Sequence, residues 1–177
     1  MVFIGKVIGM PLIEKPINPI NRVLNFITEN YPVNVYPKIL EIAAGNGNLS
    51  LKLASLGYQV TAMEPKLDKT FSDNYRVLAD FFSSDTDISD YDLGIAIHPC
   101  GIHEDIIQNF KVNDKALFLM PCYKITCESN EFNTYRNNDE WLNYLETLNP
   151  KMKKLEFFDK SNNDLTARSF SNAFYTK

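Results

Sequence analysis

Glycine, cysteine and histidine are scarce in this 177-residue chain, which contains seven, three and two of them. It also lacks any apolar run of about 18 residues, so we expect no membrane-spanning helix. Residues 1–16, MVFIGKVIGMPLIEKP, have too short an apolar stretch and too little initial positive charge for a secretory signal. With 45% hydrophobic and 23% charged residues, the composition is that of an ordinary globular protein. We therefore expect one cytoplasmic domain, residues 1–177.

The chain has no basic excess, because its net charge is −4 and its pI about 5.2. Proteins that bind nucleic acid usually carry such an excess, since neutralising phosphates dominates their affinity. The one lysine cluster, KMKK at residues 151–154, is interrupted by a methionine and is typical of a solvated surface. Nucleic acid is not excluded as a partner, but nothing in the sequence supports it.

Three cysteines are too few, and an odd number, for a disulfide framework. Their positions are more informative than their number. Cys100, Cys122 and Cys127 all lie, with both histidines, His98 and His103, within residues 98–127. This window is therefore a candidate functional region.

Strand-like and helix-like segments alternate from residue 38 onward, which predicts a parallel sheet covered by helices. The last two strand-like segments, KKLEFFDK and FSNAFYTK, follow each other without room for a normal helix. They predict an antiparallel hairpin at one edge of the sheet. Before the sheet, NPINRVLNFITENYP has apolar residues on one helical face. We divide the domain into an N-terminal helical segment, residues 1–32, and a core, residues 38–177.

Two of the glycines, Gly45 and Gly47, directly follow the first predicted strand, KILEIA. Glycines there let the backbone pass close to a ligand, and the next helix directs its N-terminal amides to the same space. Three successive strand ends also carry an acid: Glu41, Glu64 and Asp80. Carboxylates at such ends can accept hydrogen bonds from ribose hydroxyls or a base amino group. The alternative is that the three acids are unrelated exposed turn residues.

Dinucleotide binding is the main competing interpretation of the glycine loop. Its G-x-G-x-x-G pattern requires a third glycine, but Ser50 stands there. Glu41 would also repel a pyrophosphate, because the like charges oppose each other, whereas it suits a cationic group. Both features argue against a dinucleotide.

The segment Glu41-Ile42-Ala43-Ala44-Gly45-Asn46-Gly47 resembles the acid-x-G-x-G-x-G loop of class I S-adenosylmethionine-dependent methyltransferases. Glu64, followed by Pro65, matches the family's ribose-binding acid, and Asp80-Phe81 matches its adenine contact. The resemblance covers residues 18–177. One departure is Ala43, which replaces the first glycine and narrows the space by a methyl group.

The resemblance implies a Rossmann-like, doubly wound α/β sheet of seven strands in the order 3-2-1-4-5-7-6, with strand 7 antiparallel. It implies S-adenosyl-L-methionine as the cofactor, held by Glu41, Ala43, Ala44, Gly45, Asn46, Gly47, Glu64, Pro65, Asp80, Phe81 and His98. It also implies that the helix at residues 18–30 partly covers the acceptor pocket. The short segment between Glu64 and Tyr75 leaves little length for the family's usual second helix.

His98-Pro99-Cys100-Gly101 and Pro121-Cys122-Tyr123 end the fourth and fifth predicted strands, which are neighbours in the family fold. His98 is the candidate catalytic base, and Cys100, Cys122 and Tyr123 are candidate acceptor contacts. A soft-metal site from His98, Cys100, His103 and Cys122 is a second interpretation, although the spacing lacks paired C-x-x-C. A third is purely structural, with buried thiols and satisfied histidines. Tyr31 and Tyr123 are either stacking partners for an acceptor or packing residues.

Three functional hypotheses follow from these residues. The first is an active methyltransferase whose acceptor is a small molecule or a protein. The second is a catalytically silent protein on the same scaffold, which binds the cofactor or a partner. The third is a metal- or thiol-dependent protein on that scaffold.

Overall fold

The computed structural model describes residues 19–67, 72–122, 137–157 and 172–177. These residues form one seven-stranded sheet with helices on both faces. The elements in chain order are α1 (Pro19–Asn30), β1 (Lys38–Ile42), α2 (Asn48–Ser55), β2 (Gln59–Met63), β3 (Tyr75–Leu78), β4 (Leu93–Ile97), α3 (His103–Val112), β5 (Ala116–Met120), α4 (Asn138–Leu148), β6 (Lys153–Glu156) and β7 (Asn172–Tyr175).

The strand order is β3-β2-β1-β4-β5-β7-β6. The first five strands in this order pair in parallel, and β7 pairs antiparallel with both β5 and β6. The predicted Rossmann-like topology, with its antiparallel seventh strand and terminal hairpin, is confirmed. The order reverses between β1 and β4, and a parallel sheet binds its ligands at such a reversal.

The two central strands β4 and β5 contain no polar side chain, because helices cover both sides of the sheet. One core cluster joins Ile39 and Phe118 to α1 and α2, and the other joins Leu40 and Leu119 to α3 and α4. Gly94, in β4, permits close packing of α3 against the sheet. A Cβ built there would lie 2.2 Å from Cζ of Phe110 on α3. The missing side chain therefore lets α3 pack directly on the centre of the sheet.

Helix α1 is a core element of the described structure. Val23 and Ile27 are fully buried, and the ring of Phe26 lies 5.3 Å from that of Phe118. Residues 1–18 of the predicted lid lie outside the described residues. A covering role for the N-terminal segment therefore stays a prediction.

Tyr31 is a packing residue, and the suggestion that it stacks on an acceptor is wrong. Its side chain is fully buried, and its hydroxyl donates to the Thr176 carbonyl at 2.8 Å. The backbone carbonyl of Tyr31 accepts from the Tyr58 hydroxyl, also at 2.8 Å. Burial raises the pKa of Tyr31 far above its ordinary value. The residue joins the end of α1 to the chain terminus.

Two further expectations concern the connection between β2 and β3 and the absence of a membrane-spanning helix. No helix occurs in the described residues between β2 and β3, which agrees with the short length of that connection. Among the four described helices, none combines the length and the apolar character that a membrane crossing requires.

Candidate functional site

A cleft of about 530 Å³ opens at the carboxyl ends of β1 to β4, beside the reversal in strand order. Seven of the residues predicted to form the site line it: Ala43, Glu64, Pro65, Asp80, Phe81, His98 and Cys100. A second cavity, of about 400 Å³, lies at the opposite edge, where Lys38, Gln59 and Tyr75 begin their strands. The carboxyl edge is the physically favoured site, because the loop after β1 and the start of α2 meet there.

The loop after β1 has an unusual backbone, with positive φ at Ala43 (54°), Gly45 (58°) and Gly47 (71°). A Cβ on Gly45 would meet no atom within 4 Å, so this glycine borders open space. A Cβ on Gly47 would lie 2.7 Å from the Tyr75 hydroxyl, so that glycine is needed for packing as well. Ala43 adopts the same conformation without glycine's freedom, at a cost of about 1–2 kcal/mol. Such strain is concentrated at functional sites.

Hydrogen bonds hold this loop in place. Ala44 donates from its amide to the Met63 carbonyl at 3.3 Å and accepts from the Gly47 amide at 2.9 Å. The Asn46 side chain accepts from the Asn48 amide at 3.2 Å, at the start of α2. The loop is therefore anchored to β2 on one side and to α2 on the other.

Glu64 connects the second strand end to this loop. One of its carboxylate oxygens, Oε2, accepts from the Gly45 amide at 3.3 Å, and the other, Oε1, accepts from the Lys66 amide at 3.3 Å. The carboxylate also forms part of the cleft wall. The sequence placed Glu64 and Gly45 at neighbouring strand ends, and the structure brings them into contact.

The third strand end contributes Asp80 and a pair of phenylalanines to the cleft. Asp80 Oδ1 accepts from the Phe81 amide at 2.8 Å. The Phe81 side chain is 79% exposed, whereas Phe82 is buried and stacks on Phe110 at 6.5 Å. Phe81 therefore presents an exposed aromatic ring beside the acid, and Phe82 anchors the segment to the core.

Glu41 does not line the cleft; it lies buried on the α2 side of the sheet, where its carboxylate accepts from the Ser50 hydroxyl. Burial raises the pKa of Glu41 to about 7, against the lowering effect of the Ser50 hydrogen bonds. A titratable acid is thus held between β1 and α2. Its contact with a cofactor amino group stays a prediction.

His98 lies at the end of β4 and lines the cleft with a backbone φ of 54°. Its amide donates to the Met120 carbonyl at 2.8 Å, and its carbonyl accepts from the Cys100 amide at 2.9 Å. This tight turn at Pro99 directs the chain from β4 into α3. The positive φ at a histidine is uncommon, and it falls on the one histidine that borders the cleft.

The other members of the histidine and cysteine window have different environments. His103 is fully buried, accepts from the Cys122 amide at 3.2 Å through Nε2, and packs edge-on against Trp141. Cys122 is 2% exposed, and its Sγ lies 2.8 Å from Sγ of Cys100. Tyr123 and Cys127 lie outside the described residues.

A metal site finds no support in the part of the chain that the structure describes. No group of three or more His, Cys, Asp or Glu side chains there could hold a metal ion. The Nε2 atom of His103, one of the proposed ligands, is already a hydrogen-bond acceptor. The metal hypothesis therefore rests on the sequence pattern alone.

Five residues that line the cleft were not predicted as site residues: Ile42, Met63, Lys66, Phe82 and Ile102. Each lies within two positions of a residue that was named. They were missed because four of the five are apolar and carry no chemical signal, and Lys66 is one charge among 18 lysines and arginines. Their position next to predicted strand ends was the signal that could have identified them as cleft residues.

Comparison with known proteins gives matches in structure only. No protein-family model matches the sequence, and no protein with a curated description is similar to it in sequence. A putative methyltransferase from an antibiotic biosynthesis pathway of Anabaena variabilis ATCC 29413 matches with a TM-score of 0.52 and 18% identity, over 83% of this chain and 68% of its own. This chain has the class I methyltransferase fold.

Two other solved structures are similar to this chain in fold. WbdD matches with a TM-score of 0.57 and 14% identity over 88% of this chain, which spans only 40% of WbdD. The plantazolicin methyltransferase BpumL, solved with a monoazolic desmethylPZN analog and SAH, matches with a TM-score of 0.50 and 12% identity. That match covers 90% of this chain and 84% of BpumL.

Proposed function

We propose that this chain is an S-adenosyl-L-methionine-dependent methyltransferase. The observation that carries the proposal is the hydrogen bond from the Gly45 amide to the carboxylate of Glu64, a residue that lines the cleft. That contact joins a strand-end acid, suited to a ribose diol, to a glycine loop that lets a ligand approach the backbone.

The described residues fit this cofactor in shape and charge. The cleft volume of about 530 Å³ lies in the range of small-molecule sites, about 300–1,000 Å³. Gly45 borders space that a side chain would fill. Glu64 and Asp80 supply negative charge, which suits a sulfonium, and the exposed Phe81 ring offers a surface for a base.

In the proposed complex, Glu64 and Pro65 hold the ribose, and Asp80 and Phe81 hold the adenine. The loop Ala43-Ala44-Gly45-Asn46-Gly47 borders the methionine end, whose amino group is the proposed partner of Glu41. When bound, the cofactor supplies a methyl group on a positively charged sulfur. The protein's part in the displacement is mainly to align the acceptor with that group.

His98 is the proposed base or orienting group for the acceptor, because it is the histidine on the cleft wall. We also propose His98 as a cofactor contact, since it follows β4 directly beside the loop after β1. Cys100, Cys122 and Tyr123 are proposed on the acceptor side. Of these, Cys100 borders the cleft, Cys122 is buried, and Tyr123 is outside the described residues.

We propose a small molecule or a protein as the acceptor, with a cytoplasmic location. The net charge of −4 argues against a polyanionic acceptor. The match to BpumL, solved in complex with a monoazolic desmethylPZN analog and SAH, is compatible with a small-molecule acceptor.

The test is a transfer assay with a methyl-labelled donor on separated small-molecule and protein fractions of a cell extract. The expected result is a labelled product in one fraction with wild-type protein and a greatly reduced yield with Glu64→Ala. Glu146→Ala, an exposed change on α4, should behave like wild type. Cofactor binding without any labelled product would support the catalytically silent hypothesis instead.

A further inference from the structure

We propose that Cys100 and Cys122 form a redox-active dithiol on the wall of the cleft, which a peroxide converts to an intramolecular disulfide. This inference concerns the thiols alone and does not depend on the methyl-transfer proposal. It rests on the 2.8 Å between the two sulfur atoms, which places the thiols in direct contact.

The fold creates this contact between residues that are far apart in sequence. β4 and β5 pair in parallel with Ile97 opposite Met120. Cys100 and Cys122 therefore follow adjacent strand ends. The tight turn at Pro99 brings Cys100 back towards β5, and the amide of Cys122 is fixed by the imidazole of His103. A disulfide of about 2.05 Å requires the sulfur atoms to approach by less than 1 Å.

The two thiols also differ in exposure in the way that a dithiol reaction needs. Cys100 is exposed and borders the cleft, so an oxidant from solvent can reach its sulfur. Cys122 is 2% exposed, so it meets the sulfur of Cys100 rather than the solvent. The exposed thiol is thus the attacking group and the buried thiol the resolving group.

The reaction balances with hydrogen peroxide as the oxidant. The Cys100 thiolate attacks one peroxide oxygen, the O–O bond breaks, and a sulfenic acid and hydroxide form. The Cys122 thiolate then attacks the sulfur of the sulfenic acid and releases a second hydroxide. The two protons lost by the thiols convert both hydroxides to water. The sulfur atoms together lose two electrons, and the peroxide gains them.

The experiment counts thiols in the full chain before and after treatment with hydrogen peroxide, followed by dithiothreitol. In the Cys127→Ser protein both remaining thiols should be consumed, and dithiothreitol should restore both. Peptide mapping should find Cys100 linked to Cys122 in a monomer. The Cys127→Ser variant should form the same link, and Cys100→Ser and Cys122→Ser should each abolish it.

Three results would overturn the proposal. The first is that the wild-type protein retains all its thiols at a given peroxide dose, although the same dose oxidises the remaining thiol of Cys100→Ser or Cys122→Ser to sulfenic acid. The second is a map that links Cys127 in place of either residue. The third is oxidation of Cys100 to sulfinic acid with Cys122 still reduced in the Cys127→Ser protein, because a resolving thiol in contact would intercept the sulfenic acid first.

Discussion

The carboxylate of Glu64 accepts a hydrogen bond from the amide of Gly45 at 3.3 Å, across the gap between two neighbouring strand ends. This contact positions the acid at the mouth of the cleft and the glycine loop beside it. Both glycines of the loop adopt a left-handed backbone, but only Gly47 also packs closely against the Tyr75 side chain.

Gly47→Ala should destabilise the protein more than Gly45→Ala. Both substitutions force alanine into positive φ, which costs about 1–2 kcal/mol. At Gly47 the new Cβ would also lie 2.7 Å from the Tyr75 hydroxyl, whereas at Gly45 it meets open space. Denaturant unfolding measures the stability that each variant loses. Combining Gly47→Ala with Tyr75→Phe should remove much of the additional loss at Gly47, because the clashing hydroxyl is then absent. Equal costs for the two alanine variants would contradict the described loop.

The free energy of unfolding should depend on pH through Glu41. Its folded-state pKa, about 7, lies above the ordinary 4.5, so the folded state holds this proton more tightly than the unfolded state. Stability from this group is fully present below the ordinary pKa and is lost as pH rises through about 7. Glu41→Gln removes the titration. Its stability relative to wild type should therefore increase from about pH 5 to about pH 8, by on the order of 3 kcal/mol.

Ser50→Ala is the companion variant for this pH dependence. The Ser50 hydroxyl donates to the Glu41 carboxylate, and losing it should raise the pKa of Glu41 further. Unfolding curves at several pH values compare all three proteins. A difference between Glu41→Gln and wild type that does not change with pH would mean that Glu41 does not titrate in this range.

His98→Asn should lower methyl transfer much more than cofactor affinity. Asparagine tolerates positive φ, so this variant preserves the turn while removing the imidazole. The loss of a general base typically reduces kcat by about 10²–10⁴-fold. Equal losses of kcat and cofactor affinity would instead assign His98 a binding role.

Gly94→Ala should destabilise the fold strongly, because the new methyl would lie 2.2 Å from Cζ of Phe110. Overpacking of this kind costs about 1–3 kcal/mol, occasionally more. Phe110→Leu alone should lower the free energy of unfolding because it removes packing. Combined with Gly94→Ala, it should restore part of the stability that Gly94→Ala loses. A double-mutant cycle by denaturant unfolding measures that recovery. Strict additivity would place the α3 ring away from the centre of β4.

The sequence predicted the elements, the sheet order and the meeting of the glycine loop with Glu64, because these depend on local patterns and on a family resemblance. It did not predict that Glu41 lies behind the cleft wall. In KILEI the three apolar residues, Ile39, Leu40 and Ile42, fall on both faces of the strand, so alternation gives no sign of which face the acid occupies. The contact of Glu41 with Ser50 depends on how α2 packs.

Other site features depend on contacts between distant residues. Tyr31 packs in the core, where its hydroxyl donates to the carbonyl of Thr176, 145 positions away. The approach of Cys100 to Cys122 depends on the left-handed backbone at His98, which no residue pattern indicates. Sequence reasoning located these residues near the correct strand ends but could not determine their orientation.

The most direct test of the central claim is calorimetric titration of the wild-type and Glu64→Ala proteins with S-adenosylmethionine and its demethylated product, with Glu146→Ala as the control. Removing hydrogen bonds to a charged group costs about 1.5–3 kcal/mol, so the affinity of Glu64→Ala should fall by about 10- to 100-fold. Glu146→Ala should match wild type. Binding of neither ligand to the wild-type protein, or unchanged affinity in Glu64→Ala, would contradict the account.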